Sequence, residues 1–333
     1  MIKTLVIGYG SIGKRHVKNL LTLSNIQVIV YTKRKDLEKE NKKIIFYNNL
    51  QKCLKEKPTI GIVANETSDH IKIATILAQN GIDIFLEKPL SDSIKGVNNL
   101  LKIVEKKNLI TQMGCNFRFY PPIMKIKKCI EENRIGRIIS VQVENGSYLP
   151  DWHPNEDYSK GYAAKQKLGG GVVLSQIHEI DYLYWFFGKI DHVSSISGKY
   201  SDLKLDVEDI SVSILKFKNK IIGELHIDFL QRPQFKRCKI RGTKGSIEWN
   251  SDENNVKKFN IKNQRWEIIP IKNNYKLSSK EKINSMYVEE IKHFIKCVKS
   301  RTETINPLIQ GIETLKIALA VKKSSKQKKT IKI

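Results

Sequence analysis

The stretch TLVIGYGSIG, residues 4–13, decides how the first part of the chain folds. A short β-prone run enters Gly8-x-Gly10-x-x-Gly13, and a helical pattern follows with Ile12, Val17, Leu20 and Leu21 on one side. Strand, glycine turn and helix in that order is the setting in which G-x-G-x-x-G reads as a dinucleotide-binding turn. The glycines let the backbone turn tightly and approach a pyrophosphate, whose charge is received at the helix N-terminus.

Working outward, IQVIVYT (26–32) and TIGIVAN (59–65) read as strands, with a helix from about Ser68 to Asn80. A strand at IDIFL (82–86), a helix over roughly 93–107 and a strand at LITQMG (109–114) continue the alternation. This pattern predicts a doubly wound parallel sheet. Ligands of such sheets lie beyond the carboxyl ends of the strands. Asn65, Glu87 and Lys88 all fall at strand ends, so they point toward the cofactor crevice. A buried strand that ends in Glu87-Lys88-Pro89 is otherwise costly, because an unpaired charge there is expensive and proline stops the pairing.

The second strand departs from the pattern for NAD. An acid about 20 residues after the glycines ordinarily holds the ribose 2′-hydroxyl. Here the strand ends Tyr31-Thr32-Lys33-Arg34, with no carboxylate until Asp36. A hydroxyl and two cations suit a 2′-phosphate, which favours NADP over NAD; the other reading makes Lys33 and Arg34 exposed helix-start residues.

With 333 residues the chain is long enough for two domains, expected at 1–121 and 122–333, with the C-terminal helices packing back on the first. An apolar content of 40% supports a packed core. Met1-Ile2-Lys3 leads straight into a strand, which predicts no secretory signal, and no apolar run has the length of a membrane span. Five scattered cysteines without a C-x-x-C pair predict free thiols in a reducing cytoplasm and no zinc site. The net charge of +25 is dispersed along the chain without a DNA-reading module or base-stacking aromatics, which argues against nucleic acid.

The glycine loop, ANETSDH (64–70), FLEKPLS (85–91), NFRFYPP (116–122) and GGGVVLSQIHEIDYLYWFFG (169–188) occur in this order. With HIDFLQRP (226–233) and GTKGSIEW (242–249), the chain resembles the glucose–fructose oxidoreductase/inositol dehydrogenase/MocA (Gfo/Idh/MocA) family over nearly its full length. The resemblance implies an α/β fold: a Rossmann domain, then an α/β domain with a large, mostly antiparallel open sheet. It also implies an NAD(P)-dependent oxidoreductase acting on a sugar-type hydroxyl or ketone, with Lys88 and His178 as the catalytic pair. Two other readings stay open: a redox-neutral glycosidase that retains its NAD, and a dinucleotide-binding sensor without chemistry.

The chemistry suits these residue types. A hydride leaves a carbinol carbon only as the hydroxyl loses its proton, so a base must reach that hydroxyl. Imidazole titrates near neutrality, and an ammonium stabilises the developing alkoxide. On a continuous helix Leu174, His178 and Asp181 share a face, which would let Asp181 orient His178. Many family members carry an aspartate where this chain has Leu174, which puts a full Lys-Asp-His set in doubt.

The candidate cofactor set is Gly8, Tyr9, Gly10, Ser11, Ile12, Gly13, Thr32, Lys33, Arg34, Asn65, His70, Glu87, Lys88 and Asn116. YLPDWHPNEDYSKGYAAKQKLGGG (148–171) is too long and polar for a plain connection. It contributes Trp152, His153, Asp157, Tyr158 and Lys165 as candidate substrate contacts, joined by Arg118, Tyr120 and Asp181. Lys165 and the basic strand end favour an anionic or nucleotide-linked sugar. Alternation in DISVSILKF (209–217) and IIGELHIDFL (221–230) predicts a sheet with one face left for helices or a second subunit, and hence a homodimer or homotetramer.

Overall fold

The computed structural model describes residues 1–34, 43–271 and 280–333, with side chains in the last segment from 283 onward. The chain divides into two compact units, Met1–Cys115 with Tyr287–Ile312, and Asn116–Met286 with Glu313–Ile333.

In the first unit β1 (Ile2–Ile7), α1 (Ser11–Leu21), β2 (Ile26–Tyr31), β3 (Ile44–Tyr47) and α2 (Leu50–Lys55) come first. β4 (Ile60–Val63), α3 (His70–Gln79), β5 (Asp83–Glu87), α4 (Val97–Lys106) and β6 (Thr111–Gly114) follow. The strands pair in parallel in the order β3-β2-β1-β4-β5-β6, the doubly wound Rossmann arrangement. Strands buried on both faces are apolar without alternation, and Val6, Val28, Val30, Ile62 and Phe85 have no exposed surface. Ile291, Phe294 and Ile295 close the same core.

Two boundaries differ from the sequence expectation. The helix expected from Ser68 opens as a 3₁₀ turn, Thr67–Asp69, before α3. α4 starts at Val97 because Gly96 before it sits at φ +77°, a left-handed conformation that interrupts any earlier helical turn.

In the second unit α5 (Pro121–Glu131) and β7 (Ile138–Gly146) precede α6 (Val172–Ser175) and α7 (His178–Phe187). β8 (Ile190–Gly198), β9 (Ile210–Phe217), β10 (Ile222–Asp228), β11 (Phe235–Gly242), β12 (Gly245–Asn250), β13 (Val256–Asn260) and β14 (Arg265–Ile269) come next. The unit boundary then falls within α8 (Lys280–Ser300) and α9 (Leu308–Gln327), and β15 (Ile331–Lys332) ends the chain. The sheet order is β14-β13-β12-β11-β7-β10-β9-β8-β15. β7 and β10 run parallel and the other pairs are antiparallel. Period-two alternation sorts its faces. Val141, Val143, Leu215, Leu225 and Ile240 are buried, whereas Ile196, Val212 and Ile214 on the other face are 70%, 46% and 46% exposed.

The continuous helix through Leu174, His178 and Asp181 is corrected. α6 stops at Ser175, and Gln176 leaves the helix at φ −102°, ψ 39°. Its Nε2 donates to the Asp228 carbonyl at 2.8 Å, a tertiary bond that replaces a helical turn. His178 and Asp181 share α7; Leu174 belongs to α6.

Candidate functional site

The first unit builds a cradle at the end of β1. Gly8 sits at φ +94°, and a Cβ there would stand 2.6 Å from the Ala64 carbonyl oxygen. A Cβ on Gly13 would meet the Gly8 carbonyl oxygen at 2.2 Å. Packing within the chain therefore demands both glycines. Gly10 differs, since nothing lies within 4 Å of its missing Cβ. Gly10 is itself the N-cap of α1, which has no side-chain cap and no acid in its first turn. Uncapped N–H groups beside open space fit a dinucleotide pyrophosphate. Tyr9, Ser11 and Ile12 fill the turn, with the Tyr9 ring edge-on to Phe46 at 5.2 Å.

At the end of β2, Thr32 is buried and its Oγ1 accepts the Arg34 N–H. The Arg34 side chain donates from Nη1 to the Tyr9 carbonyl at 3.4 Å, which folds a cation back onto the glycine turn. Lys33 is exposed. Asp36 lies outside the described residues.

β1, β4 and β5 are neighbours in the sheet, so the turn after β1, Asn65 after β4 and Lys88 after β5 adjoin at one edge. His70 is 1% exposed; its Nδ1 lies 2.9 Å from the Pro89 carbonyl and its Nε2 lies 3.1 Å from the Asn65 carbonyl. It ties these two loops together. Burial pushes its pKa down against the opposing pull of both carbonyls. Glu87, a candidate cofactor contact, instead turns inward. Its Oε1 accepts from His16 Nε2 at 2.6 Å, and its Oε2 accepts the Lys88 backbone N–H at 3.3 Å. His16 was not visible in the sequence as a candidate; its signal was a polar residue three positions past Gly13 on the buried side of α1.

In the second unit His178 opens α7, and its ring stacks on Phe117 with centroids 4.9 Å apart and planes 20° apart. Lys236 Nζ lies 5.2 Å from the centre of the same Phe117 ring and 3.6 Å from Glu179 Oε1. Sequence reasoning missed Lys236. Its signal was phase: on β11 it shares a face with Cys238 and Ile240, the buried side of the strand.

Arg118 and Asp181 are brought together, but with each other. Arg118 Nε and Nη2 donate to Asp181 Oδ2 and Oδ1 at 2.9 and 2.8 Å, and the side chains are 0% and 1% exposed. The guanidinium also lies over the Trp185 ring. This bidentate pair occupies the carboxylate that the sequence reading aimed at His178. Tyr120 is 1% exposed; its hydroxyl donates to Asn254 Oδ1, and burial raises its pKa. Asn116 is buried.

The segment 148–171 belongs to the second unit and is built from short 3₁₀ turns. Trp152 packs edge-on against Phe229 and donates from Nε1 to Ser147 Oγ at 3.0 Å. The Tyr158 hydroxyl accepts the Lys204 N–H, and Asp157 accepts from both the N–H and the hydroxyl of Ser159. These three anchor the loop. His153 is exposed and Lys165 is half-buried. On the outer sheet face His226 Nε2 pairs with Asp228 at 3.0 Å. Among the described residues no group of three or more His, Cys, Asp or Glu is arranged to hold a metal ion.

A doubly wound sheet with an open glycine cradle, followed by a large open sheet, defines a dinucleotide-dependent oxidoreductase architecture. Residues 2–115 match the family model of the oxidoreductase family's NAD-binding Rossmann fold, and residues 127–333 match its C-terminal alpha/beta domain. The chain belongs to the Gfo/Idh/MocA oxidoreductase family. It is 27% identical to a myo-inositol 2-dehydrogenase of Thermotoga maritima, over 98% of this chain and 97% of that one. It is 23% identical to a scyllo-inositol 2-dehydrogenase (NAD(+)) of Bacillus subtilis, over 97% of this chain and 94% of that one. The solved structure of a levoglucosan dehydrogenase in complex with NADH superposes with a TM-score of 0.86 at 17% identity, covering 100% and 99% of the two chains.

Proposed function

We propose that the protein is an NAD(P)-dependent dehydrogenase acting on a secondary hydroxyl or ketone of a sugar, polyol or derivative of one. The observation that carries this reading is the placement of Lys88 directly after β5, at the sheet edge that also carries the open glycine cradle after β1. The cradle and the uncapped α1 N-terminus hold the pyrophosphate, and Asn65 lines the same edge. When bound, the nicotinamide supplies hydride transfer. Lys88 donates to the substrate oxygen and stabilises its developing negative charge. His178 exchanges the hydroxyl proton, its ring plane held by the Phe117 stack. The inositol dehydrogenases among the relatives support the polyol class.

Arg34, folded onto the Tyr9 carbonyl, supports a preference for NADP(H) over NAD(H). Lys165 supports an anionic sugar derivative. The exposed Ile196, Val212 and Ile214 support association of a second copy on the outer sheet face. Five free, buried cysteines suit a reducing cytoplasm.

The test is a panel of polyols, sugars and sugar acids offered with NAD⁺ or NADP⁺, read by the absorbance of reduced nicotinamide. Turnover should fall about a hundredfold or more in Lys88→Ala and roughly 10²–10⁴-fold in His178→Ala. Lys33→Ala/Arg34→Ala should erase the discrimination between the cofactors. A panel with no net reduction, or variants that turn over like the parent, defeats the proposal.

A further inference from the structure

We infer that His16 and Glu87 form a positioning dyad for Lys88, linking the helix that receives the cofactor's pyrophosphate to the residue that stabilises the substrate oxygen. The inference rests on the reading of Lys88 given above and adds two residues to it.

The side chains of His16 and Glu87 are 0% and 7% exposed and their hydrogen bond is 2.6 Å long. Such a short bond between groups removed from water is strongly directional. His16 Nδ1 finds no partner among the described residues, so the imidazole spends its hydrogen-bonding capacity on Glu87 through Nε2. Phe85 and Tyr287 hold the ring edge-on, with centroids at 5.2 and 6.3 Å. Gly114 leaves room for the carboxylate: a Cβ there would stand 3.0 Å from Glu87 Cδ and Oε2. The other oxygen of the same carboxylate accepts the Lys88 N–H. A side chain from α1 thus fixes the backbone at the start of Lys88.

Each oxygen of the Glu87 carboxylate thus has a partner within the first unit, His16 Nε2 for Oε1 and the Lys88 N–H for Oε2. The dyad joins two residues 71 positions apart, and Gly13 and His16, three positions apart, lie on one helix. A shift of the glycine-turn helix would therefore be transmitted to Lys88, and the ammonium would leave the position from which it meets the substrate oxygen. Misplacement of a catalytic group by about 1 Å can cost roughly a hundredfold in rate.

The experiment uses the full chain with the substrate found in the panel. Removing one partner leaves the other buried and unpaired, so the informative variant replaces both with apolar groups, His16→Phe/Glu87→Leu. Its dinucleotide Kd and melting temperature should stay near those of the parent, while kcat falls about a hundredfold. His16→Gln, which retains an N–H donor, should recover most of the turnover. Parent-like kcat in the double variant overturns the dyad, as does loss of dinucleotide binding in step with kcat, which would make the pair a scaffold contact. Lys88→Ala runs alongside. If it turns over like the parent, the assignment of Lys88 fails and takes the dyad with it; if it is slow while the double variant is not, the dyad alone fails.

Discussion

Removing one member of the Arg118–Asp181 pair should disrupt the second unit, while removing both should be tolerated. Each carboxylate oxygen of Asp181 accepts one guanidinium N–H, at 2.8 and 2.9 Å, in a setting with almost no solvent exposure. Asp181→Leu strands a buried guanidinium and Arg118→Leu strands a buried carboxylate, and each should cost about 3–5 kcal/mol. In Arg118→Met/Asp181→Leu neither charge remains, and apolar replacement of buried pairs is often close to neutral. The coupling energy from the cycle should thus exceed about 2 kcal/mol, well outside the additivity error for distant sites. Trp185 lies under the Arg118 guanidinium, so tryptophan fluorescence during urea unfolding reports on this region. Substrate KM in the double variant should match the parent. Additive single effects would refute the buried-pair reasoning. A stable double variant with KM raised more than about tenfold would return both residues to the substrate.

Gly10→Ala should leave the melting temperature unchanged yet weaken dinucleotide binding, because its Cβ meets no protein atom. Gly13→Ala should destabilise by about 1–3 kcal/mol, the cost of overpacking, since its Cβ would stand 2.2 Å from the Gly8 carbonyl oxygen; calorimetry with and without cofactor separates the two. The folded-state pKa of His70 lies below its ordinary 6.5, so the unfolded chain binds a proton first as pH falls. This contribution to stability is complete above about pH 6.5 and is lost as pH drops through the folded pKa, at up to about 1.4 kcal/mol per pH unit. His70→Gln should flatten the pH dependence of urea unfolding in that window, and an unchanged slope would exclude His70 as its source.

The Rossmann unit was largely legible because its signals are local. β1, the glycine turn and α1 occupy 20 consecutive residues, and each glycine marks a backbone demand set within the motif or by the neighbouring strand. The alternation of β9 marked it as a strand but not its buried face: Ser211 and Ser213 are buried, while Val212 and Ile214 between them are each 46% exposed. β3 was missed because IIFY is a four-residue run, all of it only half-buried, with neither alternation nor length to distinguish it.

Side-chain partners were another matter. Nothing near Asp181 in sequence marks Arg118, 63 positions away, as the group that takes both its oxygens, so a helix-face argument aimed it at His178 instead. The same argument assumed a continuous helix, which the Gln176 bond to the Asp228 carbonyl breaks. The bond between Glu87 and His16, 71 positions away, was not legible in the sequence, and Lys236 read as one more dispersed lysine until β11 carried it beside Glu179 and Phe117. Local backbone chemistry and periodicity determined the order of elements, the glycine cradle and the strand end that bears Lys88. Only tertiary structure decided which buried charge meets which partner, because desolvation and geometry, rather than distance along the chain, select the pair.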